Sequence, residues 1–309
     1  MSLPNMAAIQ SSWSFDISWV DQAHHLYYLA DRTSKGVDVF DLQSRKFVTT
    51  IGGFIGISGG TKGPNGVVTD NLGQLWAADG DSSVKVVSLS TRQIVARVST
   101  GGKERADELA YDAQDQLIAV GNGDDSPPFL TLISASSHKV VKKITLSTAD
   151  GIEQPAWDAT TDDFDVSVPE TSANAGGEID VIDPVQGKVV KVVPLKSCNP
   201  SGFAIGPSHE AIIGCDGDPV VLSLTTWQVL AMITQASGCD EVWYDSGSQQ
   251  YFLAAGDNPG GSVLAVVDAK TLKWVQNIRT KTDSHSVAAD NSMNIVLVPE
   301  VGLGIVIYG

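Results

Sequence analysis

Residues 64–100 read PNGVVTDNLGQLWAADGDSSVKVVSLSTRQIVARVST, and this stretch decides the fold. GVVTD, LWAAD, VKVVSL and IVARVST are runs of apolar and β-branched residues; NLGQ, DGDSS and STRQ between them are turn-forming clusters. Four short strands joined this way make an antiparallel meander. Its first half recurs along the chain as SWVDQAHHLYYLAD, LAYDAQDQLIAVGN, PAWDATTDDFDVSVPE, VWYDSGSQQYFLAAGD and VAADNSMNIVLVPE. A further copy, FAIGPSHEAIIGCDG, has Gly206 where the others have Asp. The anchoring positions are 21, 70, 112, 158, 206, 245 and 290, spaced by 39 to 49 residues. Strand repeats with a period of roughly 40–50 residues signal a β-propeller. The expected fold is therefore all-β: one domain, residues 1–309, of seven four-stranded antiparallel blades.

The last repeat ends early, with the single strand GLGIVIYG after Glu300. The apolar segment MAAIQ, residues 6–10, is expected to supply the missing outer strand and close the ring. Closure of this kind hides the two sheet edges that would otherwise invite aggregation. The Gly-rich stretch 52–63 reads as an inter-blade loop. The Trp residues lie in or beside strands and are expected to pack between blades.

Composition bounds the partners. A net charge of −16 opposes binding to nucleic acid or to an anionic membrane surface and favours cations. No apolar run reaches the roughly 18 residues of a membrane-spanning helix. The start, MSLPNMAAIQSSW, lacks a charged segment followed by an apolar one. Two compartments stay open, the cytosol or an exported location after removal of a signal. Three cysteines fit no zinc spacing. Cys198 and Cys215 lie at opposite ends of one hairpin, compatible with a disulfide or with buried thiols, and Cys239 is left over. The sequence leaves the oligomeric state open.

A propeller gathers equivalent residues of every blade around one axis. Five residues before each anchor gives the channel mouth: Asp16, Asn65, Asp107, Glu153, Ser201, Asp240 and His285. Glu108 and Glu241 follow directly behind. Asp16, Asn65, Asp107, Glu108 and Glu241 are the expected substrate contacts. Converging carboxylates raise one another's pKa or recruit a cation. Oxygen donors suit Ca²⁺ or Mg²⁺, and one His admits Mn²⁺. A metal site, a water-filled acidic funnel and plain solvation of the mouth all remain open. The anchoring Asp residues read as turn formers on the opposite face.

VDVFDLQSRKFVTTI and HSVAADNSMNIVLVP resemble the YVTN-type seven-bladed propeller repeats, which implies the fold and leaves activity open. The pairing of His285 with Glu300 in HSVAADNSMNIVLVPE is similar to that at the mouth of the virginiamycin B lyase family. That resemblance implies Mg²⁺-assisted elimination with His285 as base and Glu300 as ligand or orienter. The segment CNPSGFAI is similar to part of the gluconolactonase-like propellers, implying a cation held by Glu153, Asn199 and Asp240, with Asn65 of matching chemistry. The function expected from these readings is metal-assisted hydrolysis of a lactone or ester of a small organic substrate. His285, Glu300 and Asp240 are the catalytic candidates; Glu153, Asn199, Asp240 and His285 are the metal ligands. Elimination at the same site and a non-catalytic YVTN-type binding or scaffold role are the alternatives.

Overall fold

The computed structural model describes residues 1–9 and 12–309. The repeated Asp explains how each blade starts. Asp70 Oδ1 accepts the backbone N–H groups of Leu72 and Gln74, both at 2.9 Å, and Asp112 Oδ1 does the same for Gln114 and Asp115. Asp21, Asp158, Asp245 and Asp290 cap their turns in the same way. Such a side chain satisfies turn amides that no ladder partner reaches. Blade five departs from the rule for a packing reason. A Cβ on Gly206 would lie 1.9 Å from the Tyr251 hydroxyl of blade six, which fills the vacant space.

Six four-stranded antiparallel sheets and one of three strands result, each running in chain order from the axis outward. In blade one the strands are Phe15–Asp21, Leu26–Asp31, Gly36–Asp41 and Lys46–Gly52. The two middle strands of that blade are almost wholly buried, while the outermost is largely accessible. Each innermost strand touches the innermost strands of both neighbouring blades, and Phe15–Asp21 meets Ala288–Asp290, so the ring is closed. Stacked blades bury apolar layers between them; Tyr28, Val39 and Phe54 of blade one and its following loop pack on Leu75, Ala77 and Val87 of blade two. At about 25 cal/mol per Å² of apolar area, such repeated layers are the main stabilising force.

Further ties run between blades on the face of the tight turns. His25 Nδ1 sits 2.6 Å from Asp290 Oδ2, and His209 Nε2 sits 2.5 Å from Asp158 Oδ2. Trp76 is fully buried, as expected of an inter-blade residue. Trp19 and Trp243 do something else. They come from the innermost strands of blades one and six, which are not neighbours, and meet edge-on with centroids 5.2 Å apart. Blade seven, between them, has the small Ala288 at the equivalent position. The contact bridges the innermost strands of two blades that are not neighbours.

The N-terminus closes the ring, but not with the segment expected. Ile305 N–H donates to Met1 O at 2.7 Å and the Met1 nitrogen donates to Ile305 O, so Met1 lies along the edge of Gly304–Tyr308. A Cβ on Gly304, where φ is +87°, would meet Met1 O at 2.4 Å, so the close approach depends on glycine. Residues 6–9 form one helical turn instead of a strand, with Ala8 and Ile9 N–H groups bonded to Asn5 O. The Ala-rich sequence suits a helix, and burial of Leu3 and Met6 against Ile295 and Ile305 fixes it. Gln10 lies outside the described residues. The Gly-rich connection after blade one contains a small hairpin, Gly56–Ser58 paired with Thr61–Gly63. No described helix is long and apolar enough to cross a membrane.

Cys198 and Cys215 are joined in a disulfide with Cα atoms 4.9 Å apart, while Cys239 is a buried free thiol. The bond ties the entry of blade five's first strand to the end of its second. Restricting an unfolded loop of separation 17 is worth about 3 kcal/mol in the chain-entropy account. The double variant Cys198→Ala/Cys215→Ala is therefore expected to lose about that much unfolding free energy in equilibrium denaturation, while a native-like stability would contradict the assignment.

Candidate functional site

Close approach of the inner strands is built into two glycines. A Cβ on Gly66 would lie 2.6 Å from Asp107 O and 2.7 Å from Glu108 Cα; one on Gly202 would lie 2.4 Å from Asp240 O and 3.1 Å from Glu241 Cα. Blades two and five thus leave room for acidic residues of blades three and six at the axis. The result is a cavity of about 460 Å³ at the mouth, lined by residues from all around the ring. Six of the seven expected mouth positions line it: Asp16, Asp107, Glu153, Ser201, Asp240 and His285. Glu108, Asp216, Asp257 and Asp283 add further carboxylates.

Four other predicted residues stand elsewhere, Asn199 and the three described next. Asn65 is fully buried behind the wall, where its Oδ1 accepts from Arg32 Nε and Nη2 at 3.1 and 2.9 Å and its Nδ2 donates to Ala106 O at 2.8 Å. Glu241 also lies deeper than the cavity: Ser286 Oγ is 2.5 Å from its Oε2, and Val287 N–H donates to the same oxygen at 3.0 Å. Burial pushes the Glu241 carboxyl up to about 8 against these hydrogen bonds. Glu300 does not face His285. Its Oε1 accepts from the Tyr308 hydroxyl at 2.5 Å and its Oε2 from Lys281 N–H at 3.1 Å, pinning the loop that enters blade seven.

Cations that were not read from the sequence change the site most. Arg32, Arg105 and Lys62 all reach the cavity. Arg32 Nη2 pairs with Asp16; Arg105 Nη2 lies 2.8 Å from Asp107 Oδ2, and its Nε donates to Asp124 Oδ2 at 2.8 Å. The signal was present, since Arg32 directly follows the mouth-side Asp31 and Arg105 precedes Asp107 by two. Burial raises the Asp16 carboxyl, but Arg32 and His285 more than cancel this and hold it below the usual range. Asp107 differs. Burial and the nearby Asp16 outweigh the divided charge of Arg105, so its carboxyl is pushed up to about 7.

His285 is surrounded by groups that favour its protonated form. Its Nδ1 donates to Asp283 O at 2.9 Å, its Nε2 lies 3.7 Å from Asp16 Oδ1, and its ring stacks on Phe15 at 4.9 Å. Burial works against the charge, yet Asp16, Asp283 and Asp240 raise the ring's pKa well above 6.5. These neighbours favour the charged ring, the opposite of the shift that would suit a general base.

Glu108, Glu153 and Asp240 form the opposite pole. No described residue donates a hydrogen bond to any of the three, and Glu108 Oε2 is buried without a partner. Burial comes first in raising each; for Glu108 and Glu153 the facing carboxylates, Asp240 among them, add to it, while for Asp240 the His285 charge opposes it. The set expected to hold a metal is not assembled. Asn199 lies outside the cavity and spends its Nδ2 on Pro169 O and Ala175 O at 3.0 and 3.2 Å. Among the described residues, no three His, Cys, Asp or Glu side chains converge as metal ligands. Of the four expected ligands, Glu153, Asp240 and His285 line the cavity and Asn199 does not.

No family model matches the chain, and no curated protein matches it in sequence. Solved structures do. The chain is similar to hydrazine synthase of Kuenenia stuttgartiensis at 11% identity and a TM-score of 0.79, covering 94% of this chain and 93% of that one. It is similar to a chain of the mitotic checkpoint complex at 10% identity and a TM-score of 0.76, over 94% and 86% of the two chains. It is also similar to U3-55K at 10% identity and a TM-score of 0.76, over 94% and 90%. At these identities the likeness shows the propeller fold and nothing finer.

The site makes one stability prediction. Because the folded-state pKa of His285 is raised, its charge stabilises the fold fully below the ordinary value of 6.5 and loses that effect as pH climbs through the folded value. The stability gap between wild type and His285→Gln is expected to be widest below pH 6.5 and to shrink above it, as read from urea denaturation at several pH values. A gap that grows with pH would show a neutral ring.

Proposed function

We propose that the protein is a ligand-binding propeller that takes a small charged organic molecule at its channel mouth, without resident metal. The single observation that supports this is the size and lining of the axial cavity: about 460 Å³, with charged side chains on nearly every side. Concave sites with a few convergent polar groups are where propellers and other folds hold small ligands. This reading keeps the small-molecule partner expected from the sequence and sides with the binding role of YVTN-type repeats. Metal-assisted lactone or ester hydrolysis, and elimination, each need a proton-transfer group, His285 or a neighbouring carboxylate, and a ligand set. The contacts of His285, Glu300 and Asn199 favour neither. The disulfide supports an oxidising compartment, in keeping with export.

Thermal unfolding in the presence of small amines, carboxylic acids, amino acids and sugars tests the proposal. At a hundredfold excess over Kd a bound ligand adds ~2.7 kcal/mol, enough to raise Tm measurably. At least one class is expected to stabilise the wild type saturably and to lose its effect in Ser201→Tyr, which fills the cavity. Stabilisation that survives Ser201→Tyr, or none from any class at millimolar concentration, would overturn it.

A further inference from the structure

We infer that the ligand of this cavity is an alkylammonium or alkylguanidinium cation whose N–H groups bond to Glu108, Glu153 and Asp240; this rests on the binding role proposed above. The three carboxylates come from blades three, four and six, and no described residue supplies them a donor. Glu108 is 5% exposed, lines the cavity and leaves Oε2 unpartnered. A buried carboxyl left without a donor is destabilising, and a donor supplied by a ligand offsets that cost.

Three of the four cations in the lining are committed elsewhere. Arg32 serves Asp16 and Asn65, Arg105 serves Asp107 and Asp124, and His285 lies between Asp16 and Asp283. Even with Lys62 counted, eight carboxylates line the cavity against four cationic side chains. An anionic ligand would meet that excess with no free guanidinium to receive it.

The chemistry of the cation follows from what else is present. A bare metal ion lacks a converging ligand set among the described residues, and the cavity is far larger than one ion. A quaternary ammonium calls for open aromatic faces. Phe15 is the one aromatic ring of Phe, Tyr or Trp type in the lining, and the parallel His285 ring, 7° from coplanar, covers it. What remains is a cation recognised through hydrogen bonds.

Isothermal titration calorimetry at fixed ionic strength tests this with 1,4-diaminobutane and agmatine as probes, and with tetramethylammonium, CaCl₂ and sodium acetate as comparisons. Diaminobutane, agmatine or both are expected to bind the wild type, and the comparisons to bind at least ~10-fold more weakly. Glu153→Gln and Asp240→Asn are each expected to weaken binding by ~10-fold or more, since a charge-assisted hydrogen bond is worth ~1.5–3 kcal/mol. Asp115→Asn, an exposed turn residue on the opposite face, is expected to leave it unchanged. Glu153→Lys places a tethered ammonium in the site, and is expected to raise Tm and abolish binding, which separates loss of the site from loss of the fold. Equal binding of tetramethylammonium, tighter binding of Ca²⁺, or indifference to both carboxylate variants would overturn the cation assignment. If neither amine binds while a sugar or carboxylic acid stabilises the protein through the same cavity, the ligand class is wrong and the binding role stands.

Discussion

Seven inner strands packed around one axis impose the constraint on which everything else depends. Each innermost strand touches both of its neighbours, so residues at equivalent positions of distant blades are forced into a shared volume. The apolar layers between blades supply the stability, and Met1 at the edge of Gly304–Tyr308 completes the ring that holds the strands there. Gly66 and Gly202 let adjacent strands approach closely enough for acidic side chains to meet. The geometry that stabilises the fold is thus the geometry that concentrates charge at the mouth.

That charge is resolved unevenly. On one side Arg32, Arg105 and His285 pair with Asp16, Asp107 and Asp283, though burial still outweighs Arg105 at Asp107. On the other, Glu108, Glu153 and Asp240 share a poorly solvated space without a donor. A removed partner for a buried charge costs more than the pair gains, so such a pole stays protonated or awaits a cation from outside. The polarity of the cavity comes from this division and not from net acidity alone.

The fold was legible because its signals are local. The capping Asp recurs wherever a first hairpin turn must satisfy its own amides, and even the exception at Gly206 marks a place where Tyr251 enters. Six mouth positions followed from counting along a strand, whose period carries a residue to the axis whatever its identity. Partners were not legible, because they depend on loops. Arg32 and Arg105 reach the cavity from connections whose path no periodicity fixes. Glu300 carries suitable atoms but spends them on Tyr308 and Lys281, and Asn199 is held outside the cavity by its Nδ2 contacts to Pro169 and Ala175. Residues 6–9 had the composition of a strand or a turn of helix, and contacts to Ile295 and Ile305 decided between them.

The most direct measurement of this division is a side-chain carboxyl ¹³C NMR titration of the mouth residues in the ligand-free protein. Asp16 is expected to titrate below the ordinary carboxyl range, Asp107 near 7, and Glu108 and Glu153 well above their ordinary value of 4.5. Ordinary titration of all four would contradict the account, because it would mean that the mouth is solvated evenly and no carboxylate there lacks a partner.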